Sequence, residues 1–163
     1  MNYITDRIMN DETFMNLAIA EAEKAAAENE IPVGAVAVLD GKVIASEHNR
    51  MEQLHDATAH AEILLIRKAS SIIGDWRLSE VTIYVTKEPC VMCGGAMVNA
   101  HLHKIVYGLR DPRSGADTLG LLRNPNLLYQ VESTGGILED KCKEQFQSFF
   151  KKRRMEKNNK SVN

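Results

Sequence analysis

The residues best suited to chemistry are His60-Ala61-Glu62 and, further along the chain, Pro89-Cys90-Val91-Met92-Cys93. Zinc binds imidazole nitrogen and thiolate sulfur, and a catalytic zinc site has three protein ligands and one open position for water. One histidine and two cysteines make up such a set. The sequence therefore predicts that His60, Cys90 and Cys93 bind a metal ion and that Glu62 transfers protons.

The spacing of these residues sets where they must lie. Cys90 and Cys93 are three apart at a predicted helix start, so their sulfurs share one face, and the helix N-terminus favours the thiolate form. His60 and Glu62 are two apart, so both reach one site only where a helix begins. A zinc-bound water has a pKa near 7, and a carboxylate beside it can accept its proton. This chemistry suits hydrolytic removal of an exocyclic amine from a nucleobase, and the spacing matches the described signature of zinc nucleobase deaminases.

A Cys-x-x-Cys pair alone also occurs in redox sites and structural zinc sites. A closed structural site would need a fourth ligand. Cys142 lies on a different predicted helix, and His101 and His103 would have to fold back towards the pair. The combination of both motifs therefore favours an open, catalytic site.

Hydrophobic periodicity and turn residues predict the elements that must position these motifs. Asp11 is the predicted N-cap of the first helix, and Asp40-Gly41 is a predicted hairpin turn. Gly135-Gly136 is predicted to interrupt regular secondary structure before the last helix. Helices alternating with strands predict an α/β fold, a three-layer α/β/α sandwich with a mixed five-stranded sheet. The predicted helices cover 11–30, 58–71, 90–100 and 138–157, with Cys142 and three phenylalanines on the inner side of the last, and the predicted strands cover 33–39, 42–47, 81–86, 104–107 and 127–132.

Length and composition predict one domain over 1–163, with a core of about 11–154 and a basic tail at 151–163. The net charge of −2 argues against a general polyanion binder. No apolar run approaches the roughly 20 residues that span a bilayer, and the N-terminus lacks a secretory apolar region. A cytoplasmic location with no membrane partner is the expectation.

Several segments together resemble the bacterial tRNA adenosine deaminases, a branch of the cytidine and deoxycytidylate deaminase superfamily. The resemblance runs from about Phe14 to Arg154. It rests on Glu-Ile-Pro-Val-Gly-Ala (30–35), Glu-His-Asn-Arg (47–50), Ala-Thr-Ala-His-Ala-Glu (57–62), Trp-Arg-Leu (76–78), Tyr-Val-Thr-Lys-Glu-Pro-Cys-Val-Met-Cys (84–93), Val-Tyr-Gly (106–108), Gly-Ile-Leu (136–138) and Phe-Phe-Lys-Lys-Arg-Arg (149–154).

The resemblance implies a cytidine-deaminase-like sandwich that converts adenosine to inosine at the wobble position of a tRNA anticodon stem-loop. It implies one Zn²⁺ per subunit with a bound water or hydroxide, and a homodimer. Asn49 would hydrogen-bond the target nucleoside, and the backbone N–H of Ala61 would hold the leaving-group side of the base. The possible RNA contacts are Asp111, Lys151, Lys152, Arg153 and Arg154.

The residues themselves leave other interpretations open. Asn49 also fits a turn, Asp111 a loop cap, and 151–154 a solvated helix end. His48 and His55 are expected to be exposed loop residues.

Three positions depart from the family pattern: Asp117-Thr118, Leu128-Tyr129-Gln130, and Lys87, where an apolar residue is usual. The first two motivate an alternative function, deamination of free nucleobases or nucleosides such as cytosine or guanine. A non-catalytic RNA-binding subunit is a third possibility, which the presence of Glu62 disfavours.

Overall fold

The computed structural model describes residues 10–161, and the final two residues of the predicted basic tail lie outside them. Within this range five helices and five strands alternate along the chain. Their bounds are α1 Asp11–Ala27, β1 Gly34–Leu39, β2 Lys42–His48, α2 Met51–Leu54, α3 Ala61–Ile73, β3 Thr82–Lys87, α4 Val91–Asn99, β4 Lys104–Leu109, β5 Glu132–Gly135 and α5 Glu139–Lys160.

The five strands form one sheet in the order β2-β1-β3-β4-β5. β1 pairs antiparallel with β2 and β3, whereas β4 pairs parallel with β3 and β5. The predicted mixed five-stranded sheet with helices on both sides is therefore confirmed. Because β3, β4 and β5 are parallel, the carboxyl ends of β3 and β4 lie at the same edge of the sheet.

Alternate strand residues face two separate apolar cores, as the two-residue period of a strand requires. Ile83 and Ile105 belong to the core under α3 and α4, whereas Tyr84 and Val106 belong to the core under α1 and α5. Gly34 lets α1 approach the sheet closely, since a Cβ there would lie 2.2 Å from the backbone oxygen of Ala18.

The first helix is shorter than predicted and has a different cap. Asn10, not Asp11, is the N-cap, and its side chain accepts a hydrogen bond from the backbone N–H of Thr13. Asp11 instead accepts a hydrogen bond from the Tyr84 hydroxyl at 2.7 Å. The helix ends at Ala27 because Asn29 adopts a left-handed conformation with φ of 60°.

The predicted strand over 127–132 is wrong. Local turns hold this segment, with the backbone N–H of Leu127 donating to the oxygen of Asn124 and that of Asn126 to the Asn124 side chain. The pairing with β4 begins only at Glu132 and runs through Gly135. Gly135 is therefore the last residue of the strand, not part of a loop that follows it. The apolar pair at 127–128 favours a strand locally, but Leu128 is fully exposed and, within the described part of the chain, has no packing partner that would hold it in the sheet.

The remaining differences concern helix ends and faces. α3 begins at Ala61 instead of 58, and the short α2 was not predicted. On α5 only Cys142 is buried, while its three phenylalanines are half-buried and contact one another, because the helix extends past the core. No helix among residues 10–161 combines the length and apolar character needed to cross a membrane.

Candidate active site

Two helix N-termini bring the predicted metal-binding residues together. His60 is the N-cap of α3, and Cys90 is the N-cap of α4, each with extended backbone. The His60 Nδ1 atom lies 3.7 Å from the Cys90 sulfur and 3.5 Å from the Cys93 sulfur. The three ligand atoms all lie within 4.8 Å of one another.

These separations fit a tetrahedral metal ion. Zinc–nitrogen bonds of about 2.0 Å and zinc–sulfur bonds of about 2.3 Å place the nitrogen and sulfur ligands about 3.5 Å apart. Within residues 10–161 the group contains these three side chains and no fourth His, Cys, Asp or Glu. Cys142, His101 and His103, the alternative fourth ligands, lie outside it. The arrangement could therefore hold a metal ion and leave one coordination position open.

The electrostatics of the group favour an anionic sulfur at Cys90. The hydrogen bond with Cys93 lowers the pKa of the Cys90 thiol to about 3, even though burial opposes this. The same hydrogen bond, together with burial, raises the pKa of Cys93. The hydrogen bond to Cys90 raises the pKa of His60. Binding of a metal cation to both sulfurs would require Cys93 to lose its proton.

Glu62 lies beside this group in the first turn of α3 and is buried, with 4% of its surface exposed. Burial raises the pKa of its carboxyl because the low-dielectric surroundings disfavour the charged form. A carboxyl poised to gain and lose a proton is what general acid–base catalysis requires.

A pocket of about 260 Å³ opens beside these residues, slightly below the roughly 300–1,000 Å³ typical of small-molecule sites. Its volume suits one nucleobase with part of its sugar. Its lining comes from the end of β3, from α2 and α5, from the two helix starts, and from the loops that precede β1 and follow β2, β3 and β4. The lining residues are Ile31, Val33, Asn49, Met51, His60, Glu62, Lys87, Glu88, Cys90, Ser114 and Phe146.

Asn49 lines this pocket and is 4% exposed. Its Nδ2 donates to the Glu30 carboxylate at 3.2 Å, and a carboxylate only accepts, so the orientation of the amide is fixed. Glu30 also accepts from the backbone N–H groups of Glu52 and Gln53, which anchors α2. Ala61 is the first residue of α3, so its N–H has no partner within the helix.

Glu30 and Glu88 are site residues that the sequence analysis missed. Both are almost fully buried, with 1% and 2% exposed. Glu88 accepts from the backbone N–H groups of Asp111 and Thr118 and from the Thr118 hydroxyl, at 2.7–3.0 Å. A Cβ on Gly115 would lie 2.1 Å from its carboxylate, so glycine leaves room for this anchor. Their sequence signal is their place in the segments 30–35 and 84–93 that carry the family resemblance, and Glu88 also directly precedes the Pro-Cys pair.

Replacing Glu88 by glutamine is expected to destabilise the protein by about 1–3 kcal/mol, because the new amide group would face donors and leave buried N–H groups unpaired. Urea unfolding monitored by circular dichroism measures this change. Glu80→Gln, at an exposed position, is the matched control and should change stability by less than about 0.5 kcal/mol. Equal stabilities for both variants would contradict the anchoring role of Glu88.

Two of the departures from the family pattern have internal partners. Asp117 accepts hydrogen bonds from the Tyr107 hydroxyl and the Ser133 hydroxyl, each at 2.8 Å. Thr118 is held by Glu88, and the ring of Tyr129 stacks on His101 with centroids 4.4 Å apart. Asp117, Thr118 and Tyr129 therefore have structural roles, whereas Leu128 and Gln130 are exposed.

Asp111 acts as a loop cap in this structure. Its Oδ1 accepts from the backbone N–H groups of Arg113 and Ser114, and its Oδ2 accepts from the Ser114 hydroxyl. Lys87 forms an ion pair with it. Burial alone would raise the pKa of the Asp111 carboxyl. The hydrogen bonds, above all that from Lys87, outweigh burial and lower this pKa below its ordinary value.

A broad groove of about 1,130 Å³ runs between α5 and the loop after β4. Of the four predicted basic contacts, Lys151 and Arg154 line it, whereas Lys152 does not and Arg153 lies over the Phe149 ring, 5.3 Å from its centroid. The sequence analysis did not select the other cations of the groove. Its six cationic side chains, Lys87, Arg110, Arg113, Lys143, Lys151 and Arg154, face three acidic ones, Asp111, Asp140 and Glu144.

His48 was expected to be exposed, and this was wrong. It is 4% exposed and lies between two carboxylates, with Nδ1 3.3 Å from Glu21 and Nε2 2.9 Å from Glu28. The neighbouring acidic side chains of α1 were not foreseen as its partners. His55 is exposed as expected.

Comparison with known proteins identifies the family of this chain. The MafB19-like deaminase family matches residues 9–154. The tRNA-specific adenosine deaminase of Bacillus subtilis (strain 168) is 42% identical over 149 residues, which cover 90% of this chain and 92% of that protein. The tRNA-specific adenosine deaminase of Agrobacterium fabrum is 41% identical over 145 residues, which cover 88% and 95%.

Solved structures extend the comparison. One, from a study of A-to-I editing by tRNA:A34 deaminases at the wobble position of tRNA, has a TM-score of 0.78 and 40% identity, covering 81% of this chain and 97% of that one. The guanine deaminase of Nitrosomonas europaea has a TM-score of 0.73 at 22% identity, covering 88% and 86%, which shows a shared fold.

A match across nearly all of the described residues, joined to a buried glutamate beside a His/Cys/Cys group, makes this chain a member of the MafB19-like deaminases. The relatives at about 40% identity are tRNA-specific adenosine deaminases. The chain belongs to that more narrowly defined family.

Proposed function

We propose that this protein deaminates adenosine to inosine at the wobble position of a tRNA anticodon loop. The observation that carries the proposal is the pocket that joins Glu62, His60 and Cys90 at two helix starts, in a chain about 40% identical to tRNA-specific adenosine deaminases. The net reaction takes up one water and releases one ammonia, leaving an oxygen on the purine carbon that carried the amine.

The residues of the chain have distinct roles in this reaction. Zinc, held by His60, Cys90 and Cys93, would supply Lewis acidity that lowers the pKa of a water molecule. Glu62 takes a proton from the attacking water and returns it to the departing nitrogen. Burial of Glu62 keeps this proton transfer away from bulk solvent.

Asn49 and Ala61 would hold the base. The Asn49 amide is fixed by Glu30, so its orientation is set before the substrate arrives, which lowers the cost of binding. The N–H of Ala61, which has no partner within α3, would hold the leaving-group side of the purine. The target nucleotide must be unstacked from the loop to enter so small a pocket.

The groove beside α5 would bind the RNA backbone. Its excess of cations suits phosphate, and its contacts would position the loop without reading sequence. Lys151 and Arg154 are the predicted tail residues that face this groove, and Arg110, Arg113 and Lys143 extend the cationic surface.

We also propose that two copies associate. Val91 at the start of α4 and Leu119 in the loop between β4 and β5 are 50% and 58% exposed, which leaves apolar surface that a second copy would cover. Light scattering after size exclusion should give about twice the 18.2 kDa mass of the chain. A mass equal to one chain at micromolar concentration would exclude a stable dimer.

The direct test of the proposed function uses the purified, zinc-loaded protein and an anticodon stem-loop with adenosine at the wobble position. Nuclease digestion and mass spectrometry should detect inosine. The same stem-loop with adenosine moved by one position is the control and should remain unchanged. Release of ammonia from guanine or cytosine, without inosine in the RNA, would show that the protein is a free-base deaminase.

A further inference from the structure

The catalytic pocket and the cationic groove meet at two side chains. Lys87 and Phe146 line both cavities, whereas the other groove cations line the groove alone. The Lys87 ammonium lies 5.8 Å from the centre of the Phe146 ring. A nucleotide whose base enters the pocket while its backbone follows the groove must therefore pass this pair.

Lys87 is the last residue of β3 and occupies a position between protein and solvent. Its side chain is 23% exposed, and that of its partner Asp111 is 14% exposed. A partly buried ammonium loses hydration, so it interacts more strongly with an anion than a fully exposed lysine does.

The loop that carries Asp111 does not depend on this ion pair alone. Three further hydrogen bonds, from the backbone of Arg113 and from the backbone and hydroxyl of Ser114, hold the carboxylate. Glu88 anchors the same loop from inside. Lys87 is therefore not required to keep the loop in place.

Lys87 has unused hydrogen-bonding capacity. An ammonium has three N–H donors, and within residues 10–161 Asp111 is its single hydrogen-bond acceptor. Donors therefore remain for an anion at the junction of the pocket and the groove.

We propose that Lys87 is a positioning residue that binds the phosphate adjacent to the target nucleotide and so aligns the base with the catalytic pocket. This inference rests on the proposed RNA substrate. It assigns to Lys87 a contact that neither the tail residues Lys151 and Arg154 nor the loop cations make, because those residues do not reach the pocket.

The experiment compares the zinc-loaded wild type with Lys87→Met, which keeps an aliphatic stem beside Phe146 but removes the charge, and with Lys87→Arg, which keeps the charge. For Lys87→Met we expect KM for the stem-loop to rise about tenfold while kcat stays within twofold. The slope of log affinity against log salt should become shallower by about 0.7, the value for one phosphate contact on a single strand. Lys87→Arg should keep both KM and the salt slope close to their wild-type values.

Lys104→Met is the matched control. Lys104 is also on a strand, is 25% exposed and pairs with Glu132, but it lies at the opposite end of the sheet. The Lys104→Met variant should have the wild-type KM and salt slope.

An unchanged KM and salt slope for Lys87→Met would overturn the role of Lys87. Equal changes in Lys87→Met and Lys87→Arg would overturn it as well. Absence of inosine with the wild type would instead overturn the proposed function, so the two failures are distinguishable.

Discussion

Replacing Glu62 by glutamine is expected to lower kcat for adenosine deamination by at least about 10²–10⁴-fold while the protein keeps its metal ion. General acid–base groups contribute effects of this size. The amide has the shape of the carboxyl group but cannot carry the proton between water and the leaving nitrogen. Because Glu62 is not one of the three clustered ligand residues, metal binding does not depend on it.

The measurement is single-turnover inosine formation together with the metal content from elemental analysis. Glu12→Gln is a matched control, because Glu12 also occupies the second position of a helix but is exposed at the surface. That variant should retain wild-type turnover. Wild-type turnover in Glu62→Gln, or loss of the metal from it, would refute the proposed role of the carboxylate.

Replacing Cys93 by alanine is expected to abolish turnover and to weaken zinc binding by more than about 100-fold. Changes to groups that merely support a metal ligand cost about 10–100-fold in affinity, so loss of a ligand should cost more. The side chain is fully buried beside His60, and no other cysteine is close enough to replace it.

Competition with a colorimetric zinc chelator would measure the affinity of the Cys93→Ala variant. Cys142→Ala is the control, because Cys142 is equally buried but lies against β4 on the other side of the sheet. It should lose about 1 kcal/mol of stability and keep one zinc per chain. Stoichiometric zinc at wild-type affinity in Cys93→Ala would show that the sulfur is not a ligand.

The sequence predicted the fold class because each core element carries a strong local signal. β1 is rich in Val and Ala, β3 and β4 each contain Ile and Val, and the apolar spacing along α1 is helical. β5 was misplaced because its residues, Glu-Ser-Thr-Gly, have little apolar character. Its position comes from pairing with β4, which is a long-range contact that local sequence does not encode.

The clustering of His60, Cys90 and Cys93 was predictable because these residue types and their spacing are unusual together. The buried glutamates that anchor the loops around this group were not predictable. Glu30 and Glu88 resemble ordinary charged residues in the sequence, since their importance comes from backbone N–H groups that only the folded loops bring to them. The same holds for Lys87, whose double exposure to pocket and groove depends on where α5 packs.

The position of Phe146 in the pocket lining has a consequence for how the enzyme is made. Protein synthesis proceeds from the N-terminus, so Cys93 leaves the ribosome about fifty residues before Phe146. A nascent chain thus contains His60, Cys90 and Cys93 well before it contains the side chain that completes the wall of the pocket. A polypeptide that stopped short of Phe146 would have the candidate ligands without a closed chamber for a base.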